Sequence, residues 1–538
     1  MDLVVRNARI WTADPALPWA GALVVRDGRI AAVGREDDVE VLAADGSDVL
    51  DCEGHLVVPG FIDSHNHLRL GSGDSAVQLA GASTLADIRE RIARWLDDNP
   101  DATWVQGEGF DYAAIPEGRH PRADDLLGAT RGLPAMLLDY SVHAAWFNRE
   151  ALTLLGADPA APQVAYGTFE VDERGDLTGY LADFATRGLS RAGLAALLPI
   201  VPAFGADAQL HRVRSALRMA SRLGITTVVE PQNSLDDLAL FTRAEADGDL
   251  LSRVVAALFH PVGTTGSEVD EFERAIAGVR TDRFRLGPIK LYIDDIVEPH
   301  TAAMIEPYAN KPGSRGQSYY SQQEFNEVVA GLDARGLQCL VHATGDRGNR
   351  MALNAFEHAR SVNGPRDSRH QIVHVECLDR SELGRFAELG VVPCMQPRHC
   401  APEIVREWRA NVGESRWRYA WPMRSLMDSG ARVAFSSDWN VAEMDPMVGL
   451  YTAVTRASLD GRESWVPEES VDIESALHAY TTGGAWANFL EADLGALTVG
   501  RLADFAVLSR DVLACEPQDL LDTQVLATVV EGGVVFAA

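Results

Sequence analysis

Apolar and polar positions change rhythm along this chain. They alternate in LVVRNARIWTA (3–13) and GALVVRDGRIAAVG (21–34), where Asp27-Gly28 marks a hairpin turn between two strands. Alternation returns in RLADFAVLS (501–509) and TVVEGGVVF (528–536). Both ends are thus read as β-rich, and a small β-sandwich assembled from residues 1–56 and 494–538 accounts for them better than two separate end domains. Between them, short apolar runs trade places with amphipathic patterns of helical period, which is βα repetition and argues for a parallel sheet. Eight runs read as strands: 57–65, 225–231, 253–259, 287–293, 339–343, 371–375, 391–396 and 432–438. Helical patterns such as EFNEVVAGLDARG (324–336), RGNRMALNAFEHAR (347–360) and RSELGRFAELG (380–390) lie between them. Eight βα units predict an α/β fold, a closed (β/α)8 barrel over residues 57–493. The gap after the first strand is far longer than a βα loop needs. Residues of about 70–205 are therefore expected to form an insertion, with a helix at LADIRERIARWLDD (85–98) and an apolar run at PAMLLDYSV (134–142), that caps the barrel mouth.

Composition narrows the partners. Lys+Arg 48 against Asp+Glu 78 gives a formal charge of -30, which repels phosphate backbones and anionic membranes. Nucleic acid and membrane are excluded as expected partners, and a small molecule remains. No stretch has the roughly 18 uncharged apolar residues of a membrane span, and the N-terminus has no basic segment leading into an apolar one. The six cysteines show neither CxxC pairs nor a framework spacing, so reduced thiols in the cytoplasm are the simplest reading. Only two lysines occur, Lys290 and Lys311, so a lysine inside an apolar strand calls for an explanation.

The candidate chemistry sits at strand ends. His65 and His67 close the first strand, and alternate strand residues face the same way, so both imidazoles can reach one metal. With 14 histidines in 538 positions, chance alone supplies roughly 0.4 such pairs, so the pair by itself decides little. Its position decides more: His342 lies in the fifth strand, His374 in the sixth, and Asp438 ends the eighth. Barrel enzymes assemble their sites at these C-terminal strand ends. Lys290 sits in the fourth strand, GPIKLYI, where a charged ammonium is costly to bury. A neutral lysine takes up CO₂ to become a carbamate that bridges two cations, which an arginine cannot do. A snorkelling lysine, or one paired with Asp294 or Asp295, is the alternative.

FIDSHNH, IKLYIDD, LVHATGD, RHQIVHVE and FSSDWN together resemble the amidohydrolase superfamily. Within it they are similar to amidohydrolase family 3, the group like N-substituted formamide deformylase. CMQPRH, Asp445-Pro446, AYTTGGAWA and VGRLADFAVLS follow in the same order, so the resemblance covers essentially the whole chain. It implies that His65, His67 and Asp438 bind one divalent ion, zinc or a similar metal. It further implies that His342 and His374 bind a second and that carboxylated Lys290 bridges the two. A homodimer is expected on the same ground. One stretch departs: after the lysine strand the chain reads DDIVEPHTA (294–302), with Asp295, Glu298 and His300 where the family carries a DGS-like segment.

The reaction that follows is hydrolysis of an amide- or formamide-type C–N bond by a metal-activated hydroxide, with Asp438 moving the proton to the leaving nitrogen. His399 is read either as a donor to the carbonyl oxygen or as a loop histidine. His143, in the insertion, resembles a family position and is a candidate substrate contact. Trp439 and Asn440 follow Asp438 and are candidates to line the pocket. Trp104, Phe110 and Tyr112 read as packing. Two other readings keep the barrel: a metal-dependent lyase, which would not place solvent oxygen in a carboxylate, and a mononuclear deaminase, which has no need of Lys290. A binding protein without catalysis is a third, but loss of catalysis usually erases ligands and all six survive. No Walker A loop, GxGxxG after a strand or GxSxG elbow occurs.

Overall fold

A computed structural model describes residues 2–40, 46–71, 76–116 and 119–538. Residues 41–45 of the expected end domain, and 72–75 and 117–118 of the expected insertion, lie outside the described residues. The chain divides into two compact units: Met1–His67, Leu217–Leu235 and Phe241–Ala538 form one, and Leu68–Ala216 with Asp236–Leu240 the other.

In the first unit, eight parallel strands among the described residues hydrogen-bond in chain order. They are β1 (Phe61–Asp63), β2 (Ile225–Asn233), β3 (Arg253–Phe259), β4 (Phe284–Tyr292), β5 (Cys339–Ala343), β6 (Gln371–His374), β7 (Val392–Met395) and β8 (Ala434–Phe435). The ladder returns on itself: Ser64 N–H donates to the Phe435 carbonyl at 3.3 Å, and Asp438 N–H to the His65 carbonyl at 2.8 Å. The sheet is therefore a barrel of the (β/α)8 class. Its strands are buried on both faces, which is why they read as continuous apolar runs. Ala257, Leu340, Val373 and Cys394, from four of the strands, meet in one buried cluster.

The helices start where the sequence offers caps. Thr265 and Glu268 form a reciprocal capping box at the start of α1 (Gly266–Gly278), and Ser321 and Glu324 another at α2 (Gln322–Ala334). α3 (Asp346–Asn363) follows β5 through Gly345, where an added Cβ would lie 2.1 Å from the Ala303 carbonyl oxygen. Only glycine fits that approach.

The expected first strand, 57–65, is two strands. Leu56–Pro59 belongs to a six-stranded end sheet and Phe61–Asp63 to the barrel. The break falls at Gly60, where a Cβ would meet Thr226 Oγ1 at 2.2 Å. Both halves are buried, so no polar position betrays the switch. The six-stranded sheet contains Arg9–Trp11, Trp19–Ala20, Leu56–Pro59, Phe505–Leu508, Val525–Val530 and Gly533–Ala537. A four-stranded sheet of Leu3–Arg6, Ala22–Arg26, Arg29–Gly34 and Asp48–Asp51 packs on it through Leu3, Val5, Leu23, Val25 and Ile30 against Ile10, Val57, Phe505, Val507 and Val529. This is the sandwich drawn from both ends. Its hairpin turn at Asp27-Gly28 has φ of +48° and +76°, the left-handed pair that an Asp-Gly dipeptide favours. Arg253 ties sandwich to barrel, 3.3 Å from Asp504 and 2.8 Å from Glu531.

The second unit is built on a mixed sheet of seven strands among the described residues, with Ala145–Phe147 at its centre and the parallel strands Ala135–Asp139 and Val105–Phe110 to one side. The helix Leu85–Asp98 runs over the expected residues, started by Thr84 accepting Asp87 N–H. A buried Arg69–Asp237 ion pair, 2.8 Å long, lies inside it.

Candidate metal centre

Beyond β1 the chain runs Ser64-His65-Asn66-His67, and beyond β8 it runs Ser436-Ser437-Asp438. One buried carboxylate, Asp63, clamps the two together. It accepts Ser437 N–H at 2.9 Å, Ser437 Oγ–H at 2.5 Å and Asn66 Nδ2–H at 2.8 Å. Burial outweighs these bonds and pushes its pKa up to about 6. Thus held, His65 Nε2 stands 3.4 Å and His67 Nε2 3.2 Å from Asp438 Oδ1. These three donors lie close enough together to hold one ion.

The remaining ligand-type residues continue the ring. Lys290 and Tyr292 share a face of β4, with Lys290 Nζ 4.6 Å from the Tyr292 ring centroid. His342 stacks on Tyr292 at 4.6 Å, His374 lies 4.5 Å from His342 and 5.4 Å from His65. Lys290 is wholly buried, and burial brings its pKa down to about 7 against the pull of Asp438. Burial and the Lys290 charge likewise hold His65 well below its ordinary range. Burial and the neighbouring His342 do the same to His374, so the imidazoles are neutral, as metal ligands must be.

Hydrogen bonds fix the tautomers. His342 Nε2 faces the Asp295 carbonyl at 3.2 Å, so it carries the proton and leaves Nδ1 as the lone-pair nitrogen. His374 Nδ1 faces Gln396 Oε1 at 3.0 Å, and Gln396 Nε2 in turn donates to Ser436 Oγ at 2.8 Å. Nε2 of His374 is left for a ligand. Such outer partners orient metal-binding histidines. Asp294 secures the loop that presents Asp295, accepting N–H bonds from Ala303, Thr344 and Gly345 at 2.9, 3.1 and 3.0 Å.

Many polar atoms here find no hydrogen-bond partner among the described residues: both ring nitrogens of His65, Nδ1 of His67, Lys290 Nζ, His399 Nε2 and Asp438 Oδ1. Buried polar atoms are rarely left so. A cluster of imidazoles, a carboxylate and an amine in this condition fits divalent cations. The backbone is also strained here: His374, Val375 and Asp438 have φ of +80°, +50° and +57°. Left-handed non-glycine residues cost about 1–3 kcal/mol each and gather at functional sites.

His65, His67, Lys290, His342, His374 and Asp438, expected from the sequence, come together. His399 joins them: its ring is parallel to that of His374 at 6.3 Å, and its Nε2 is 3.8 Å from Asp438 Oδ2. Trp439 is buried, and its carbonyl accepts His67 N–H. Asn440 Oδ1 is buried without a hydrogen-bond partner among the described residues. His143 lies in the second unit, in a turn closed by Asp139, which accepts Ala144 N–H and Ser141 Oγ–H. Sequence reasoning missed Asp63, Gln396 and Glu376. Glu376 forms a second three-donor group with His374 and His399. His374-Val375-Glu376 has the spacing of His65-Asn66-His67, but the left-handed backbone at His374 and Val375 breaks the alternation that would have given that spacing meaning.

A parallel eight-stranded barrel with ligand-type side chains at the C-terminal strand ends defines a metal-dependent barrel hydrolase. The sequence profile described as the amidohydrolase family matches residues 48–536, so the chain belongs to the amidohydrolase family and hydrolyses carbon–nitrogen bonds. It is 29% identical to N-substituted formamide deformylase of Arthrobacter pascens, over 99% of this chain and 97% of that one. It is also 29% identical to protein LONG AFTER FAR-RED 3 of Arabidopsis thaliana, over 99% and 91%. The crystal structure of an uncharacterized metal-dependent hydrolase from Pyrococcus furiosus superposes with a TM-score of 0.74 at 26% identity, covering 95% of this chain and 100% of that one.

Proposed function

We propose that this protein is a binuclear amidohydrolase that cleaves a small amide- or formamide-type substrate. His65, His67 and Asp438 would hold one divalent ion, zinc by the ligand chemistry, and His342 and His374 the second, with carboxylated Lys290 between them. The observation that carries this reading is the convergence of buried, unpartnered donors around Asp438. Bound there, such ions supply an acidified water and polarise the substrate carbonyl.

The chain's own residues do the rest. With its pKa brought to about 7, a large share of the Lys290 amine is neutral near neutral pH. It can attack CO₂, forming a nitrogen–carbon bond and losing one proton. Asp438 stands at the meeting point of His65, His67 and His399, and we assign it the proton transfer from water to the leaving nitrogen. Asp63 holds it in place. Asn440 Oδ1, buried and free to accept, suits a substrate N–H, and Trp439 beside it an apolar substituent. The likeness to a formamide deformylase supports N-substituted formamides as the first substrates to try. The six cysteines form no disulfide, which supports a reducing compartment such as the cytoplasm. No helix of the described residues is long and apolar enough to cross a membrane.

Metal content by mass spectrometry, on wild type and Lys290→Ala purified with bicarbonate, tests the reading. Near two equivalents of zinc in the wild type, falling sharply in the variant, is expected. One equivalent unchanged by the substitution would make Lys290 structural and favour a mononuclear centre.

A further inference from the structure

We infer that Glu376 and His399 are further ligands of the second ion, adding a carboxylate and an imidazole to His342 and His374. This rests on the proposed metal centre and changes its composition, since neither residue belongs to the ligand set that the resemblance implies.

The geometry is specific. One donor atom from each of His374, Glu376 and His399 lies within 4.8 Å of the other two. His399 is 8% exposed, and its Nε2 has no hydrogen-bond partner among the described residues. Glu376 is 7% exposed; its Oε2 accepts the Trp408 indole N–H at 3.1 Å, which fixes the carboxylate. The left-handed His374-Val375 pair turns the chain so that Glu376 comes back toward the imidazole that precedes it.

The electrostatics point the same way. Glu376 forms no ion pair with arginine or lysine among the described residues, and the imidazoles of His374 and His399 beside it offer lone pairs to the same ion. Imidazoles with a carboxylate suit first-row divalent ions such as Zn²⁺ better than Mg²⁺ or Ca²⁺. His399 thereby becomes a ligand in place of the carbonyl-oxygen donor expected from the sequence.

Glutamine has the shape of a protonated glutamate, so Glu376→Gln separates the two states. Chelator-stripped wild type, Glu376→Gln and His399→Asn would be dialysed against graded Zn²⁺ and the bound metal counted, with circular dichroism checking the fold. The expected result is two zinc ions in the wild type. In each variant one ion should remain tightly held, with the other weakened at least tenfold. If Glu376→Gln does not fold, His399→Asn is read alone by the same criterion. Two ions held by the variants with wild-type affinity would overturn the inference and leave the binuclear reading intact. One ion in the wild type, unchanged in the variants, would overturn it too. A wild type that binds no zinc would sink the proposed metal centre itself.

Discussion

Lys290→Met is the sharpest physical test of the barrel interior, because it predicts a gain. Methionine has nearly the length of lysine but no charge to desolvate. Burial takes the amine from its ordinary 10.5 to about 7. At about 1.36 kcal/mol per pH unit, the buried ammonium costs the folded state about 5 kcal/mol, and local relaxation leaves roughly half of that. The pH window follows from the sign. Below pH 7 the amine is protonated in both folded and unfolded chains, so the full cost is present. Between pH 7 and 10.5 the unfolded chain keeps a proton that the folded one has released, so wild-type stability rises relative to the variant. Urea denaturation of both proteins, with chelator present and bicarbonate removed, is the assay. Lys290→Met should be the more stable by about 2–5 kcal/mol at pH 6, with an unchanged denaturant slope and an advantage that fades by pH 10. With zinc and bicarbonate restored, the order should reverse. A variant no more stable than wild type at pH 6, or an advantage flat across pH, would refute the argument that the amine is buried without compensation.

Three further outcomes are expected. Asp438→Asn should lower kcat on a formamide substrate by about 10²–10⁴, the usual worth of a proton-transfer group; activity within tenfold of wild type would remove Asp438 from that role. Stripping the metal should lower the thermal midpoint, since an ion present at about 1,000 times its dissociation constant stabilises by roughly 4 kcal/mol, and calorimetry with and without chelator reads this directly. Gly60→Ala forces a methyl to within 2.2 Å of Thr226 Oγ1. Overpacking of this kind costs about 1–3 kcal/mol, and an unchanged urea midpoint would contradict the close approach seen between β1 and β2.

The barrel was legible because its strands are buried on both faces and end in residues no core needs. His65, His342, His374 and Asp438 stand out against Val, Ile and Leu, and Lys290 against a sequence almost without lysine. Glu376 was harder to see. Strand alternation links residues two apart only while the backbone stays extended, and at His374-Val375 it does not. The sheet of the second unit was hidden for a different reason. Its strands, VQGEGF and LTGYLA among them, are short and interrupted by glycines such as Gly107 and Gly179. Those glycines leave room for neighbours, Leu137 against Gly107 and the Phe147 carbonyl against Gly179, but they erase the apolar rhythm by which a strand is recognised.

The seam at Gly60 also bears on how the molecule is made. Leu56–Pro59 pairs with Phe505–Leu508, about 450 residues later in the chain. A ribosome adding about 5–20 residues per second needs roughly 20–90 s to cover that distance. During that interval the strand that leads directly into β1 has one bare edge, although the four-stranded sheet that packs on it, residues 3–51, is already made. The strand that leads into the barrel therefore waits, half anchored, for the last tenth of the polypeptide. Any factor that shields nascent chains should be found on this segment, and slowing translation should increase aggregation of this protein more than it would a barrel whose first strand closes locally.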